Sequence, residues 1–170
     1  MSARARLAVA IAIALLSAVG IAVLTVHWLT GGTRAALPRG LRATRAVAPF
    51  SGYRESRIVA GGRCVRVVVA DTATRRERGL RGAGNLGPYA GMLFAQPHDS
   101  ETPFTMAGVS EPLDITWYSS DGRSVGASRL RPCPGRDSAH CPVYADSRPY
   151  RFALETPGGV AGPAHLAGCG

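Results

Sequence analysis

Hydrophobic residues alternate with polar ones in two stretches, Leu113–Tyr118 and Tyr150–Glu155, as they do in strands that bury one face. A third stretch, Cys64–Ala70, is rich in valine and also predicts a strand. The short apolar run Gly91–Phe94 predicts a buried segment. Asp121-Gly122 is a hairpin turn signal, so residues 124–130 are expected to return as a further strand.

Only one short helix is predicted in this part of the chain. Thr74-Arg75-Arg76-Glu77 has the spacing of a capping box, which would open a helix that ends near Gly79 or Gly82. Several short strands with turn signals between them, and a single brief helix, indicate a mainly β domain. We expect a compact β-sandwich or barrel-like fold over residues 58–170.

The N-terminus has a different pattern, because residues 7–26 are apolar except for one serine, one glycine and one threonine. As a helix this stretch would span about 30 Å, the thickness of the hydrocarbon core of a membrane. Trp28 follows at a depth that suits the membrane interface. We therefore predict a single transmembrane anchor in residues 1–30, which contacts the membrane through residues 7–29. A cleaved signal peptide is the alternative. An Arg-, Gly- and Pro-rich linker is predicted over residues 31–57.

The net charge of +9 is distributed unevenly. Residues 1–57 hold eight Arg and one Glu, whereas residues 58–170 hold twelve Arg against ten acids. The predicted domain is thus nearly neutral, and a nucleic-acid binder would carry its positive charge on the folded domain. We therefore predict no nucleic-acid partner. The arginines of the linker could contact acidic lipid head groups, or could simply be solvated.

The chain has four cysteines, an even number that is compatible with two disulfides. Cys133 and Cys141 flank a Pro- and Gly-rich loop and are predicted to pair, which leaves Cys64 and Cys169 as a possible second pair. Free thiols, or zinc bound with His140, are the alternatives. We predict no metal and no cofactor. Disulfides favour a domain outside the cytoplasm, whereas the arginines after the apolar segment favour the cytoplasmic side. The prediction is a single-pass protein whose domain is extracytoplasmic.

Candidate chemistry is sparse. Asp71 and Asp114 are the candidate catalytic residues, because two carboxylates in one cleft could do acid–base work. Asp71 could equally be a cap or turn acid, and Asp114 and Glu155 are expected on the polar faces of strands, where they would meet arginines. Arg78 is the candidate for ligand binding, either as an anion site or as the partner of one of these acids.

Several short blocks, taken in their order and spacing, resemble a known family. The blocks are Ala70-Asp71-Thr72, Arg78-Gly79-Leu80, Gly91-Met92-Leu93-Phe94, Phe104 with Met106, Pro112-Leu113-Asp114-Ile115, Asp121-Gly122-Arg123, Arg131-Pro132-Cys133, Cys141-Pro142 with Tyr144, and Ala153-Leu154-Glu155. They resemble the domain-of-unknown-function 192 family of bacterial and archaeal proteins, over about Cys64 to Glu155. The resemblance implies a compact, mainly β fold that is often exported behind a signal or anchor, and it implies no established activity.

The chain departs from the pattern of that family at one motif. Thr105, Ala107 and Gly108 stand where the family usually has Trp, Lys and Asn. Two functions from different classes follow from all these observations. The first is a membrane-tethered binding or assembly module of the cell envelope, whose partner is another envelope protein or a small ligand. The second is an enzyme of unknown reaction that uses paired carboxylates.

Overall fold

The computed structural model describes residues 33–135 and 138–170. The predicted membrane anchor falls on residues that lie outside this description and stays a prediction. None of the helices in the described residues has the length and apolar character needed to cross a membrane. Arg34–Gly170 forms one compact unit.

Nine strands and one short α-helix make up this unit, in line with the mainly β class predicted from the sequence. In chain order they are β1 (Ala43–Arg45), β2 (Arg54–Ala60), β3 (Arg63–Ala70), α1 (Ala73–Arg78), β4 (Met92–Ser100), β5 (Phe104–Thr105), β6 (Leu113–Tyr118), β7 (Ser124–Leu130), a 3₁₀ turn (Ser138–His140), β8 (Val143–Tyr144) and β9 (Tyr150–Pro157).

The strands are hydrogen-bonded into two separate sheets. Seven of them form one sheet in the order β1-β2-β3-β4-β9-β6-β7, and β5 and β8 form a separate two-stranded ribbon. Neighbours in the large sheet are antiparallel except β3 and β4, which are parallel and are joined through α1. A parallel pair requires such a crossover connection. Hydrophobic alternation along the chain does not predict which strands pair in parallel.

The folded unit begins well before residue 58. The segment predicted as a linker contains β1 and the start of β2, and β2 pairs along its whole length with β3. Four apolar side chains of this segment are also buried, namely Ala35, Leu41, Ala46 and Phe50. The abundance of Gly, Pro and Arg between the apolar residues concealed this structure, because β1 has only three residues and the buried positions are widely spaced.

Helix α1 starts two residues earlier than the predicted capping box. Thr72 is the N-cap, with its hydroxyl accepting a hydrogen bond from the Arg75 amide at 3.4 Å, and Gly79 ends the helix with a φ of 52°. That positive φ favours glycine, as expected for a helix stop. The stop also brings the chain close to Phe94, since a Cβ at Gly79 would lie 3.5 Å from the ring.

Both faces of the large sheet are covered by hydrophobic residues. One cluster contains Phe94, Met106, Ile115 and Trp117, and the other contains Ile58, Leu93, Tyr118 and Leu154. Strands β6 and β9 are therefore buried on both faces and not half-buried as their alternation predicted. Three polar residues of these strands, Thr116, Glu155 and Thr156, are buried as well, which matters most for Glu155.

The C-terminal tail packs along the second face and is fixed at several points. Leu166 is buried, its amide donates to Gly122, and the Ser124 amide donates to Ala164. The structure contains two disulfides, Cys64–Cys169, which ties the tail to β3, and Cys133–Cys141, which closes the loop after β7.

Candidate functional site

A pocket of about 120 Å³ opens between the end of α1 and strands β4, β5 and β9. Its polar and apolar lining residues come from three places. The end of α1 and the following turn contribute residues 76–81, the β4–β5 region contributes Phe94, Gln96 and residues 102–105, and Val109, Tyr150 and Glu155 complete the wall. We refer to this cavity as the Glu155 pocket.

Glu155 is the residue that distinguishes this cavity. It pairs across the sheet with Met92 on β4 and with Ile115 on β6, so its side chain lies on the face that carries the first hydrophobic cluster. The residue is only 4% exposed. Within the described residues its carboxyl group has neither a hydrogen-bond donor nor a cationic partner. A carboxyl group of a largely buried residue that faces a cavity is a candidate for a functional site.

Burial has a direct effect on the ionisation of Glu155. Removal of the carboxyl group from water disfavours its charged form, and this raises the pKa of Glu155 to about 8. The side chain is therefore mostly a neutral acid at pH 7, which can donate one hydrogen bond as well as accept. A ligand that supplied a cation would favour the ionised form instead.

Aromatic rings form the apolar wall of the Glu155 pocket. Phe104 lies edge-on to Phe94 with ring centres 5.1 Å apart, and it also contacts Tyr150 at 5.9 Å. The Tyr150 hydroxyl donates to the carbonyl of Thr102 at 2.6 Å, so it holds the β4–β5 connection in place. Desolvation raises the pKa of Tyr150, which keeps its hydroxyl neutral. The wall is thus ordered by packing and by one buried hydrogen bond.

The mouth of the pocket is positively charged. Arg76, Arg78 and Arg81 line it together with one acid, Glu77. Arg76 is half-buried and donates to the Ala95 carbonyl at 3.0 Å, whereas Arg78 and Arg81 are exposed. Arg78, the residue predicted to bind a ligand, is therefore at the mouth of the cavity.

Asp71, one of the predicted catalytic acids, is fully buried at the end of β3 and is held by two arginines. Its carboxylate forms ion pairs with Arg54 at 2.9 Å and with Arg75 at 2.8 Å. Both carboxylate oxygens are thus occupied, and the backbone carbonyl of Asp71 accepts from Ala35. These two ion pairs join β2, β3 and α1, so Asp71 has a structural role.

Asp114, the other predicted catalytic acid, lies on β6 near the surface. It pairs with Arg129 on the neighbouring strand at 3.0 Å and accepts from the Gly159 amide at 2.6 Å. The hydrogen bonds from Arg129 lower the pKa of Asp114. None of the five main cavities in residues 33–135 and 138–170 is lined by both Asp71 and Asp114, and the two acids have separate arginine partners.

A larger groove of about 580 Å³ adjoins the Glu155 pocket and shares Leu80 and Val109 with it. Its one buried titratable residue is Tyr89, whose hydroxyl already donates to Glu55 at 2.7 Å. Among the described residues that line this groove, no buried polar group lacks a hydrogen-bond partner. The smaller Glu155 pocket is therefore the better candidate for a specific site.

The residues that depart from the family pattern lie beside this site. Thr105 lines the Glu155 pocket at the position where the family usually has Trp, whereas Ala107 is buried and Gly108 is half-buried. Threonine occupies far less volume than tryptophan. Thr105 therefore leaves space in the lining of the pocket that a tryptophan side chain would occupy.

Fold and site together define a small domain built on one mixed β-sheet, with an open pocket whose inner acid has no hydrogen-bond or cationic partner among the described residues. The chain belongs to the domain-of-unknown-function 192 family, described as "Uncharacterized ACR", whose model matches residues 56–167. The function of that family is uncharacterised. No curated protein matches the chain in sequence.

Two solved structures share the fold. One is a protein of unknown function from Novosphingobium aromaticivorans DSM 12444, with 23% identity and a TM-score of 0.55, over 73% of this chain and 88% of that one. The other is a candidate transcription regulator from Sinorhizobium meliloti 1021, with 22% identity and a TM-score of 0.54, over 66% of this chain and 90% of that one. At these identities the likeness concerns the fold alone.

Proposed function

We propose that this protein is a binding module of the cell envelope, tethered to the membrane by its N-terminal segment, and that the Glu155 pocket is its ligand site. One observation carries the ligand site: a buried carboxyl group that has no partner among the described residues lines a cavity that reaches the surface. Burial of a polar group without a hydrogen bond destabilises the fold by roughly 1–3 kcal/mol. A ligand that satisfies the group would recover that energy.

Binding is favoured over catalysis by the state of the other acids. Asp71 and Asp114 are each engaged by arginine and lie in separate places. Glu155 is then the one buried acid among the described residues that line the pocket, since Glu77 is exposed, whereas acid–base chemistry on a substrate generally needs a second positioned group. Recognition needs no such partner, because one buried polar group among aromatic walls is enough to orient a small molecule.

A location outside the cytoplasm is supported by the cysteines. All four lie in the described residues, and they are joined in two pairs. Disulfides of this kind persist in oxidising compartments and are rare in the cytosol of most cells. The basic residues that follow the apolar segment favour the cytoplasmic side by the positive-inside rule. That rule is weaker for whole domains than for short loops.

The ligand site is tested with the full chain in mild detergent, against a panel of small polar molecules, by the shift of its melting temperature. We expect at least one class of molecule to raise the melting temperature of the wild type. Thr105→Trp should abolish that shift because it fills the cavity, and the family pattern indicates that the fold accepts tryptophan there. Thr74→Trp, on the exposed side of α1, is the matched control and should retain the shift.

A second variant, Glu155→Gln, keeps the shape of the side chain and removes its ionisation. The proposal is contradicted if no molecule stabilises the wild type, or if ligands stabilise Thr105→Trp and Glu155→Gln as strongly as the wild type.

Location is tested separately with alkaline phosphatase and a fluorescent protein, each fused after Gly170. An active phosphatase with a dark fluorescent protein is expected, and the reverse result would place the domain in the cytoplasm.

A further inference from the structure

The Glu155 pocket has groups of opposite character at its two ends. Its inner end holds Glu155, which is buried on the central strand β9 and has no cationic partner in the described residues. Its outer end holds Arg76, Arg78 and Arg81 against the single acid Glu77. A carboxyl group inside and an excess of guanidinium groups outside are complementary to a molecule that carries a cation at one end and an anion at the other.

The arginines at the mouth are free to bind such an anion. The side chains of Arg78 and Arg81 form no hydrogen bond or ion pair within the described part of the chain, and Arg76 uses one guanidinium nitrogen on the Ala95 carbonyl. Guanidinium groups bind carboxylates through two parallel hydrogen bonds, which adds orientation as well as energy. Solvated surface arginines would form equally few bonds, but these three line the same cavity as Glu155.

The size of the cavity limits the molecule. An engineered protein cavity of about 150 Å³ holds benzene, which has six heavy atoms. The Glu155 pocket, with about 120 Å³, therefore accommodates about five or six heavy atoms, and its open mouth leaves room for further atoms outside. The aromatic wall of Phe94, Phe104 and Tyr150 suits an aliphatic carbon next to the charged groups.

We infer that the ligand of this pocket is a small zwitterion, whose ammonium group binds Glu155 and whose anionic group binds the arginines at the mouth, with an α-amino acid as the simplest member of the class. The inference rests on the proposed ligand site and adds the chemistry of the ligand. An ammonium group supplies three hydrogen-bond donors and a charge, whereas a hydroxyl group supplies one donor and no charge. The ammonium therefore compensates a desolvated carboxylate more fully.

Binding of this kind is coupled to a proton. The charged or titratable groups around Glu155 are Arg76, Glu77, Arg78 and Arg81 from the helix and turn, and Tyr150 from β9. Of this set, Glu155 is the residue whose pKa is close to neutral pH, because burial raises it to about 8. An ammonium group drives off its proton, so affinity should rise about tenfold per pH unit below pH 8 and then level off.

The test is isothermal titration calorimetry on the full chain in mild detergent with a series of small α-amino acids and their truncated analogues. For alanine the analogues are lactate, propionate and ethylamine, which replace or delete one charged group at a time. We expect an amino acid to bind at least tenfold more tightly than each of its analogues. Glu155→Gln should weaken amino-acid binding at least tenfold and remove its pH dependence below pH 8.

A double variant, Arg78→Gln with Arg81→Gln, examines the outer end. It should weaken binding of the amino acid and of propionate while leaving ethylamine unchanged. Equal affinity for lactate and alanine, or for ethylamine and alanine, would overturn the inference. The proposed ligand site would survive if another class of molecule bound the wild type but not Thr105→Trp. Amino-acid binding that Thr105→Trp leaves intact would refute both, since the molecule would then bind elsewhere.

Discussion

Two buried acids in this protein are placed in opposite electrostatic surroundings. Asp71 is enclosed and has an arginine on each carboxylate oxygen, so its charge is compensated within the protein. Glu155 is enclosed with no such compensation in the described residues, and it lines a cavity. The same residue property, a carboxyl group removed from water, therefore indicates a structural role in one case and a binding role in the other.

The stability of the protein should depend on pH through Glu155. Its pKa is about 8 in the folded state and about 4.5 in the unfolded state, so the unfolded chain loses this proton first as pH rises. The contribution of this group to stability is complete below pH 4.5 and decreases until about pH 8, by about 1.4 kcal/mol per unit of pKa difference. Glu155→Gln should remove this decrease.

The measurement is the free energy of unfolding by urea at pH 5, 6, 7 and 8. The difference between Glu155→Gln and the wild type should move steadily in favour of the variant over that range. Glu77→Gln, which removes an exposed acid from the neighbouring helix, is the control and should follow the wild type. Parallel curves for Glu155→Gln and the wild type would mean that the carboxyl group is solvated after all.

Asp71→Asn should destabilise the fold strongly without any change in chemistry at the pocket. The substitution leaves Arg54 and Arg75 partly buried beside a neutral amide, and breaking a buried ion pair in this way costs about 3–5 kcal/mol. Asp114→Asn breaks a pair whose arginine is 66% exposed, so about 1 kcal/mol is expected. Urea unfolding of both variants checks the ranking, and equal losses would contradict the structural role assigned to Asp71.

At the scale of elements, the sequence predicts those strands that have a clear local pattern of hydrophobic residues or turn signals. The strands that became β3, β6, β7 and β9 were predicted within a few residues, since each has valine-rich or alternating character or follows a turn signal. The parallel pairing of β3 with β4 and the short strand β1 depend on distant parts of the chain, which no local pattern reports. For the same reason Glu155 was assigned to a polar face, because alternation cannot show that both faces of β9 are covered.

The start of β4 depends on a glycine that no other residue can replace without distortion. A Cβ at Gly91 would lie 2.1 Å from the Glu155 carbonyl oxygen, which is backbone and cannot rotate away. Gly91→Ala should therefore separate β4 from β9 and destabilise the fold by about 3 kcal/mol. Gly135→Ala, where a Cβ meets nothing within 4 Å, is the control and should stay within about 0.5 kcal/mol of the wild type. Thermal unfolding of the two variants distinguishes these outcomes.

At the scale of the whole molecule, the segment before residue 58 belongs to the fold. It supplies β1, half of β2 and the arginine that pairs with Asp71. A fragment of residues 34–170 should therefore unfold cooperatively under oxidising conditions, whereas residues 58–170 should not. Circular dichroism during heating gives the comparison. A cooperative transition of the shorter fragment, at a similar temperature, would show that β1 and β2 are dispensable.

The bond between Cys64 and Cys169 makes a covalent ring of everything from β3 to the tail. A protease that cuts this ring once, for example at the exposed Gly84-Asn85 before β4, produces two pieces that remain linked to each other. The cut protein should migrate as one band on a denaturing gel without reductant and as two bands with it. A protein exposed to proteases would in this way survive a single cleavage as one connected molecule.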